Sequence, residues 1–211
     1  ESNYNIVKNE GNLWITPRQV TLTSETASKP YDGTELKKPE VQIEGSFVEG
    51  EVTDIKAKGE VTHVSEGEVT NTITFTKGDK FKADNYTITK KEGKLSITPL
   101  DGVVVTIKGR TKTVTYNGEE HTAWQYDVIS ISDPLYETAP GKVPNFWNKN
   151  AKGASGTDAG TYAMGWKAED FENTNTNFSN VTFVVTDGNL TITKRPVTLT
   201  SASDKKVYDG N

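Results

Sequence analysis

The chain has no cysteine, a single methionine and two histidines among its 211 residues. Without thiols there are no disulfides and no thiolate metal sites, which suits either a reducing cytosol or the many Gram-positive surface proteins that avoid disulfides. Lys and Arg number 24 against 29 Asp and Glu, for a net charge of −5 and a pI near 5.2. That balance argues against a general affinity for nucleic acid or anionic membranes, which needs clustered cations. No apolar run approaches the roughly 18 residues of a membrane span. The N-terminus has no charged stretch leading into an apolar core, so any signal peptide or anchor would lie outside these residues. Hydrophobic residues make up only 33% of the chain, so each folding unit should have a thin core.

What the chain does have is repetition. Asn3-Tyr4-Asn5-Ile6, Gly11-Asn12-Leu13-Trp14-Ile15-Thr16-Pro17, Val20-Thr21-Leu22-Thr23-Ser24 and Lys29-Pro30-Tyr31-Asp32-Gly33 form one sentence-like pattern. It returns as Asn85-Tyr86-Thr87-Ile88, Gly93-Lys94-Leu95-Ser96-Ile97-Thr98-Pro99 and Tyr116-Asn117-Gly118. A third copy reads Gly188-Asn189-Leu190-Thr191-Ile192-Thr193, Val197-Thr198-Leu199-Thr200-Ser201 and Lys206-Val207-Tyr208-Asp209-Gly210. A recurring folding unit of this length is the signature of an array. The register glycines Gly11, Gly93 and Gly188 place thirteen extra residues in the second copy, three before Tyr116 and ten between Tyr116 and Val181.

Seams at Pro17-Arg18, Pro99-Leu100 and Lys194-Arg195 divide the chain, because proline cannot donate to a sheet ladder and often ends a strand. The expected parts are closing strands of a preceding repeat (1–17), module one (18–99), module two with an inserted loop (100–194) and the start of a following repeat (195–211). Text that starts inside one copy and stops inside another reads as a piece of something longer.

Period-two alternation in Val20/Leu22, Leu95/Ile97 and Phe183/Val185, together with thirty threonines, predicts half-buried strands. Asp32-Gly33, Asn117-Gly118 and Asp187-Gly188 supply tight-turn chemistry. The intervals leave room for little helix beyond one short turn near Ala168-Glu169-Asp170-Phe171. The fold class is therefore all-β or mostly β.

The order of these motifs, with Asp158-Ala159-Gly160-Thr161-Tyr162, resembles the mostly-β-grasp (MBG) repeats over nearly the whole chain. The resemblance implies two tandem β-grasp-like modules in an elongated arrangement, extracellular, within large adhesin-like bacterial surface proteins. Against the shared pattern, module one carries Lys82-Ala83-Asp84-Asn85 where module two has the Asp158–Tyr162 strand. Module two replaces Tyr-Asp-Gly with Tyr116-Asn117-Gly118. These differences leave the strand count of the two modules open.

No catalytic constellation emerges. His63 and His121 lack a second ligand at metal-binding spacing and read as surface residues. Ser155 has neither the nucleophile-elbow spacing nor a base. Glu119-Glu120 and Glu169-Asp170 would need one desolvated carboxyl for acid–base work, and neighbours on a strand face opposite ways. The Asn-x-Ser/Thr sequons at Asn85, Asn177, Asn180 and Asn189 are what an Asn- and Thr-rich chain produces by chance. An intramolecular Lys–Asn isopeptide bond would suit such a module, but the candidates are too many to single out a pair. No cofactor or metal is expected, and the protein reads as non-enzymatic.

Two features stand out. The stretch Pro134–Asn150, holding Tyr136, Pro140-Gly141, Pro144, Phe146 and Trp147, lies in the region of the ten extra residues. Such aromatics either fold over a thin core or, with Trp124, stack on sugar rings or dock a protein. Trp14, beside Pro17 and matched at the other seam by Pro99, is expected to contact a neighbouring module. The function this favours is a non-catalytic stalk, spacer or adhesive region of a cell-wall-attached or secreted protein. The alternatives are a domain that binds a host glycan or surface protein through Trp124, Tyr136, Phe146 and Trp147, and an accessory module of a secreted enzyme.

Overall fold

A computed structural model of the chain describes residues 3–137, 145–150 and 152–210. Pro140, Gly141 and Pro144 lie outside the described residues. The architecture is mostly β: among the described residues there are 22 strands, and the only helical pieces are four 3₁₀ turns of three residues each. One of these spans Ala168–Asp170. No helix among the described residues is long and apolar enough to cross a membrane. Contacts divide the chain into two compact units, Glu1–Leu100 and Asp101–Asn211.

In unit one, Arg18–Ser24 runs antiparallel to Val41–Gly45 and parallel to Tyr86–Lys91. The chain then turns at Glu25-Thr26, and Ala27–Pro30 runs parallel to Lys94–Thr98, whose other edge meets Val69–Thr70. The opening and closing strands of the unit therefore lie side by side. Alternation sends Val20, Leu22 and Ser24 inward from the first strand and Leu95 and Ile97 from the last. The bend separates two small cores. Val20, Leu22, Ile73 and Tyr86 gather Phe47, Phe75 and Phe81 on one side, and Leu36, Val61, Leu95 and Ile97 gather Tyr31 and Val69 on the other.

Unit two repeats this plan. Val104–Gly109 runs antiparallel to Tyr126–Ile131 and parallel to Thr182–Thr186. Thr111–Thr115 runs parallel to Asn189–Thr193, whose other edge meets Gly160–Ala163. The equivalence extends to single bonds. The Tyr31 amide donates to Thr98 and the Tyr116 amide to Thr193, both at 2.9 Å. The Ile73 amide donates to the Glu92 carboxylate at 2.8 Å, and the Trp166 amide to that of Asp187 at 3.0 Å.

The register glycines owe their place to sterics. A Cβ on Gly93 would lie 2.3 Å from the Glu25 carbonyl oxygen, and one on Gly188 would lie 2.6 Å from that of Arg110. Each glycine sits where the link between the two closing strands crosses the bend between the two opening strands. Unit two puts a second glycine, Gly109, against Gly188. Unit one has Ser24 there instead, accepting from the Gly93 amide at 3.0 Å and donating to the Asn71 carbonyl at 2.6 Å.

Asn71 is the polar centre of unit one. Its side-chain oxygen accepts from the Gly59 amide at 3.0 Å, and its amide group donates to the carbonyls of Glu25 and Lys38 at 3.2 and 2.8 Å. Every bonding group is thereby satisfied, the condition under which a buried asparagine stabilises rather than costs. Met164 takes the corresponding place in unit two, its amide donating to Gly188 as that of Asn71 does to Gly93.

Several sequence expectations change. Lys82-Ala83-Asp84-Asn85 is not the counterpart of the Asp158–Tyr162 segment: Ala83–Asn85 is a 3₁₀ turn, and the strand matching Gly160–Ala163 is Val69–Thr70. Motif order misled because the segments before each pair of closing strands differ in length. The described strand counts differ too, ten up to Thr98 and twelve from Leu100 onward. The three extra residues before Tyr116 are Leu100-Asp101-Gly102, and Leu100–Asp101 adds a strand beside Phe178–Ser179. The missing Tyr-Asp-Gly is no structural loss. Asp32 accepts from the Thr34 amide at 2.9 Å and Asn117 from the Glu119 amide at 3.0 Å, giving the same Asx turn.

Residues 4–17 and 194–210 form no strand, contrary to the strands expected of the flanking repeats. The reason lies in the unit plan: closing strands need opening strands beside them, and each flanking segment holds only one of the two. Trp14 is 78% exposed and Leu13 93%, so no strand parity sets Trp14 apart from its neighbours. Pro17 and Pro99 are exposed as well.

Candidate ligand-facing surface around Trp124

The four aromatics considered for binding separate into two buried and two exposed. Tyr136 and Phe146 are in the core of unit two, which removes them as ligand-facing side chains. Asp133 caps the 3₁₀ turn that carries Tyr136 by accepting from the Leu135 amide at 2.8 Å. The Tyr136 ring packs edge-on to Phe178, with centroids 4.8 Å apart, and its hydroxyl donates to the Asn145 carbonyl or the Asn173 side-chain oxygen, each 2.9 Å away. Burial pushes the Tyr136 phenol up to about 12. Phe146 meets Phe183 and Phe171 at 5.3 and 6.3 Å. The thin core of a short-stranded unit needs these rings, and their insertion there is a gain in burial.

Trp147 alternates to the outer face of the same strand, opposite Glu172, and is 55% exposed. Trp124 belongs to another part of the unit. It follows the strand His121–Ala123, which pairs with Ala154–Gly156, and is 62% exposed. Its backbone position is tightly set, since a Cβ on Gly153 would lie 1.9 Å from the Ala123 carbonyl oxygen and 2.7 Å from the Trp124 Cβ. The Trp166 indole holds the same loop by donating to the Lys152 carbonyl at 3.0 Å.

Trp124 stands between two clefts. One, of about 300 Å³, is lined by Arg110, Lys112, Thr122, Gln125 and Met164. The other, of about 390 Å³, is lined by Glu120, Thr122, Lys152 and Ser155. Lys112 donates to the Thr122 carbonyl at 2.8 Å. Arg110 is paired with Asp127, its Nε at 2.9 Å. The hydrogen bond to Arg110 holds the Asp127 carboxyl below its usual range. An exposed indole flanked by fixed donors and acceptors offers a stacking face with polar handles, the chemistry by which a sugar ring is held. The sequence offers Trp124 only as one of four aromatics; that Arg110 and Lys152 line the clefts beside it comes only from the folded chain.

Several of the groups weighed for catalysis have structural partners. His121 bonds the Asn117 side-chain oxygen at 2.9 Å, and the Tyr31 and His63 rings lie 5.9 Å apart. Asp170 accepts from the Lys167 amide at 2.8 Å, and Glu119 accepts from Asn117 at 3.0 Å. Among the described residues no group of three or more His, Asp or Glu could hold a metal ion. The buried polar side chains among them are Ser24, Asn71 and Asn177. No protein-family model matches the chain, and no curated protein or solved structure matches it either.

Proposed function

We propose that the chain is a non-catalytic, extracellular pair of repeat modules that acts as a spacer or adhesive region of a secreted or wall-attached bacterial surface protein, as its likeness to MBG repeats suggests. The observation that carries this reading is the side-by-side, parallel arrangement of opening and closing strands in both units. A unit pulled from its two ends bears load along parallel strands in opposite directions. The ladder bonds then yield together in shear instead of unzipping one at a time, which suits a tethering element. Contacts local to each unit let length be added without new long-range folding cost.

Single-molecule stretching tests the reading. Two separate rupture peaks are expected, releasing roughly 25 and 30 nm of chain at about 3.4 Å per residue. Smooth extension without peaks, or one merged rupture, overturns it.

A second reading, an adhesin face for a host glycan or surface protein, is favoured by the exposure of Trp124 between its two clefts. Glycan-array binding that is lost in Trp124→Ala and kept in Trp147→Ala supports it. A flat response of the unaltered protein across glycans and matrix proteins retires it.

A further inference from the structure

The two units share a plan, so a position at which they differ is not fixed by that plan. Strand registers allow the comparison residue by residue. Lys112 stands opposite Leu190 as Ala27 stands opposite Leu95, and Gly109 stands opposite Tyr126 as Ser24 stands opposite Val41. Arg110 therefore takes the place of Glu25, Lys112 that of Ala27, Trp124 that of Pro39 and Gln125 that of Glu40.

A cleft lies at this bend in each unit, with opposite charge. In unit one Glu25 and Glu40 line it and, among the described residues, no cation does; Glu25 also pairs with Lys38 at 3.0 Å. In unit two Arg110 and Lys112 line it, and no carboxylate among the described residues does. Two cations gathered without an acid run against the balance of a chain with a net charge of −5.

Both cations are held in place and keep donors to give. Asp127 takes the Nε and one Nη of Arg110, which orients the guanidinium and leaves the outer edge of its five-donor fork, the edge that meets a carboxylate with two parallel bonds. Lys112 Nζ donates to the Thr122 carbonyl at 2.8 Å and has two further hydrogens. Beside them the Trp124 indole is 62% exposed. The cleft on its other side carries one charge of each sign, Glu120 and Lys152, so selection by charge falls to Arg110 and Lys112.

We infer, resting on the reading of Trp124 as a sugar-stacking face, that unit two takes an acidic sugar, its ring on the indole and its carboxylate in the cleft of Arg110 and Lys112. Charge complementarity supplies the preference, and because the site is open to solvent, salt screens it.

Amide NMR titration of the whole chain tests this with a glucuronate- and a sialate-terminated oligosaccharide, each beside its carboxyl-reduced form, and with a sulfated chain free of carboxylates. One of the two acids is expected to shift the amides around Trp124 and to bind at least about tenfold more tightly than its reduced form. Raising salt from about 50 to 500 mM should erase most of that difference. Lys112→Ala, which places there the residue that unit one already carries, should weaken the acid about fivefold and leave the reduced form unchanged. Trp124→Ala should weaken both. Equal binding of acid and reduced form, both lost in Trp124→Ala, overturns the inference and leaves the sugar-stacking reading standing. Binding of neither overturns both. A sulfated chain held as tightly as the carboxylate sugar overturns the assignment of the fork to a carboxylate.

Discussion

Ser24 donates its hydroxyl to the Asn71 carbonyl at 2.6 Å, joining residues 47 positions apart. The same oxygen accepts from Gly93, so one small side chain on the opening strand fastens both the link between the closing strands and the segment at Asn71. Both hydrogen-bonding functions of the hydroxyl are used in a buried place, where leaving either unmet is costly.

Asn71→Ala is expected to destabilise unit one by about 3 kcal/mol, because the Gly59 amide and the Glu25 and Lys38 carbonyls lose their partner. Urea denaturation followed by fluorescence checks it, and the Trp signal of unit two should stay unchanged.

Gly93→Ala and Gly188→Ala should each cost about 3 kcal/mol, since the added methyl meets backbone that cannot rotate away. Gly11→Ala, at the matching position of the flank with nothing within 4 Å, should alter thermal stability by no more than about 0.5 kcal/mol. Thermal melts of the three variants decide whether the repeated glycine is a packing requirement or a habit of sequence.

Tyr136→Phe keeps the ring and removes a hydroxyl that lies 2.9 Å from both the Asn145 carbonyl and the Asn173 side-chain oxygen. Its expected cost is about 1–2 kcal/mol. With the folded phenol raised to about 12 against an ordinary 10, the stability from keeping it neutral is complete below pH 10 and is lost as pH climbs toward 12. Alkaline absorbance titration should find this tyrosine ionising last or only on unfolding.

The Asp32 carboxyl is held down to about 2, first by the Lys29 ammonium and then by the Thr34 hydroxyl and amide. A lowered folded pKa favours the native state above the ordinary 3.8, and that contribution fades as pH falls from 3.8 through about 2. Carboxyl NMR titration should place Asp32 near 2. Asp32→Asn should abolish this part of the acid response yet leave the turn intact, as Asn117 already forms it in unit two.

Strand text, turn positions and the copying of a unit were legible in the sequence because they are local. Period-two alternation marks which side of Arg18–Ser24 is covered, Asp32-Gly33 and Asn117-Gly118 mark turns whereas Asp187-Gly188 links two strands that run on in one direction, and a repeated string marks a repeated unit. Trp124 could be singled out as an aromatic, but Tyr136, Phe146 and Trp147 looked equivalent to it. Their sorting into core and surface depends on which strand each one joins.

Composition and repetition alone determined a mostly β chain with recurring units, since Thr-rich alternating segments broken by glycine cannot build long helices. Tertiary structure decided the rest: that opening and closing strands lie parallel, that Gly93 and Gly188 mark backbone crossings, and that Asn71 binds three distant segments in one unit where Met164 stands in the other. Those relationships join residues far apart in the chain, and no local pattern encodes which distant partner a strand will meet.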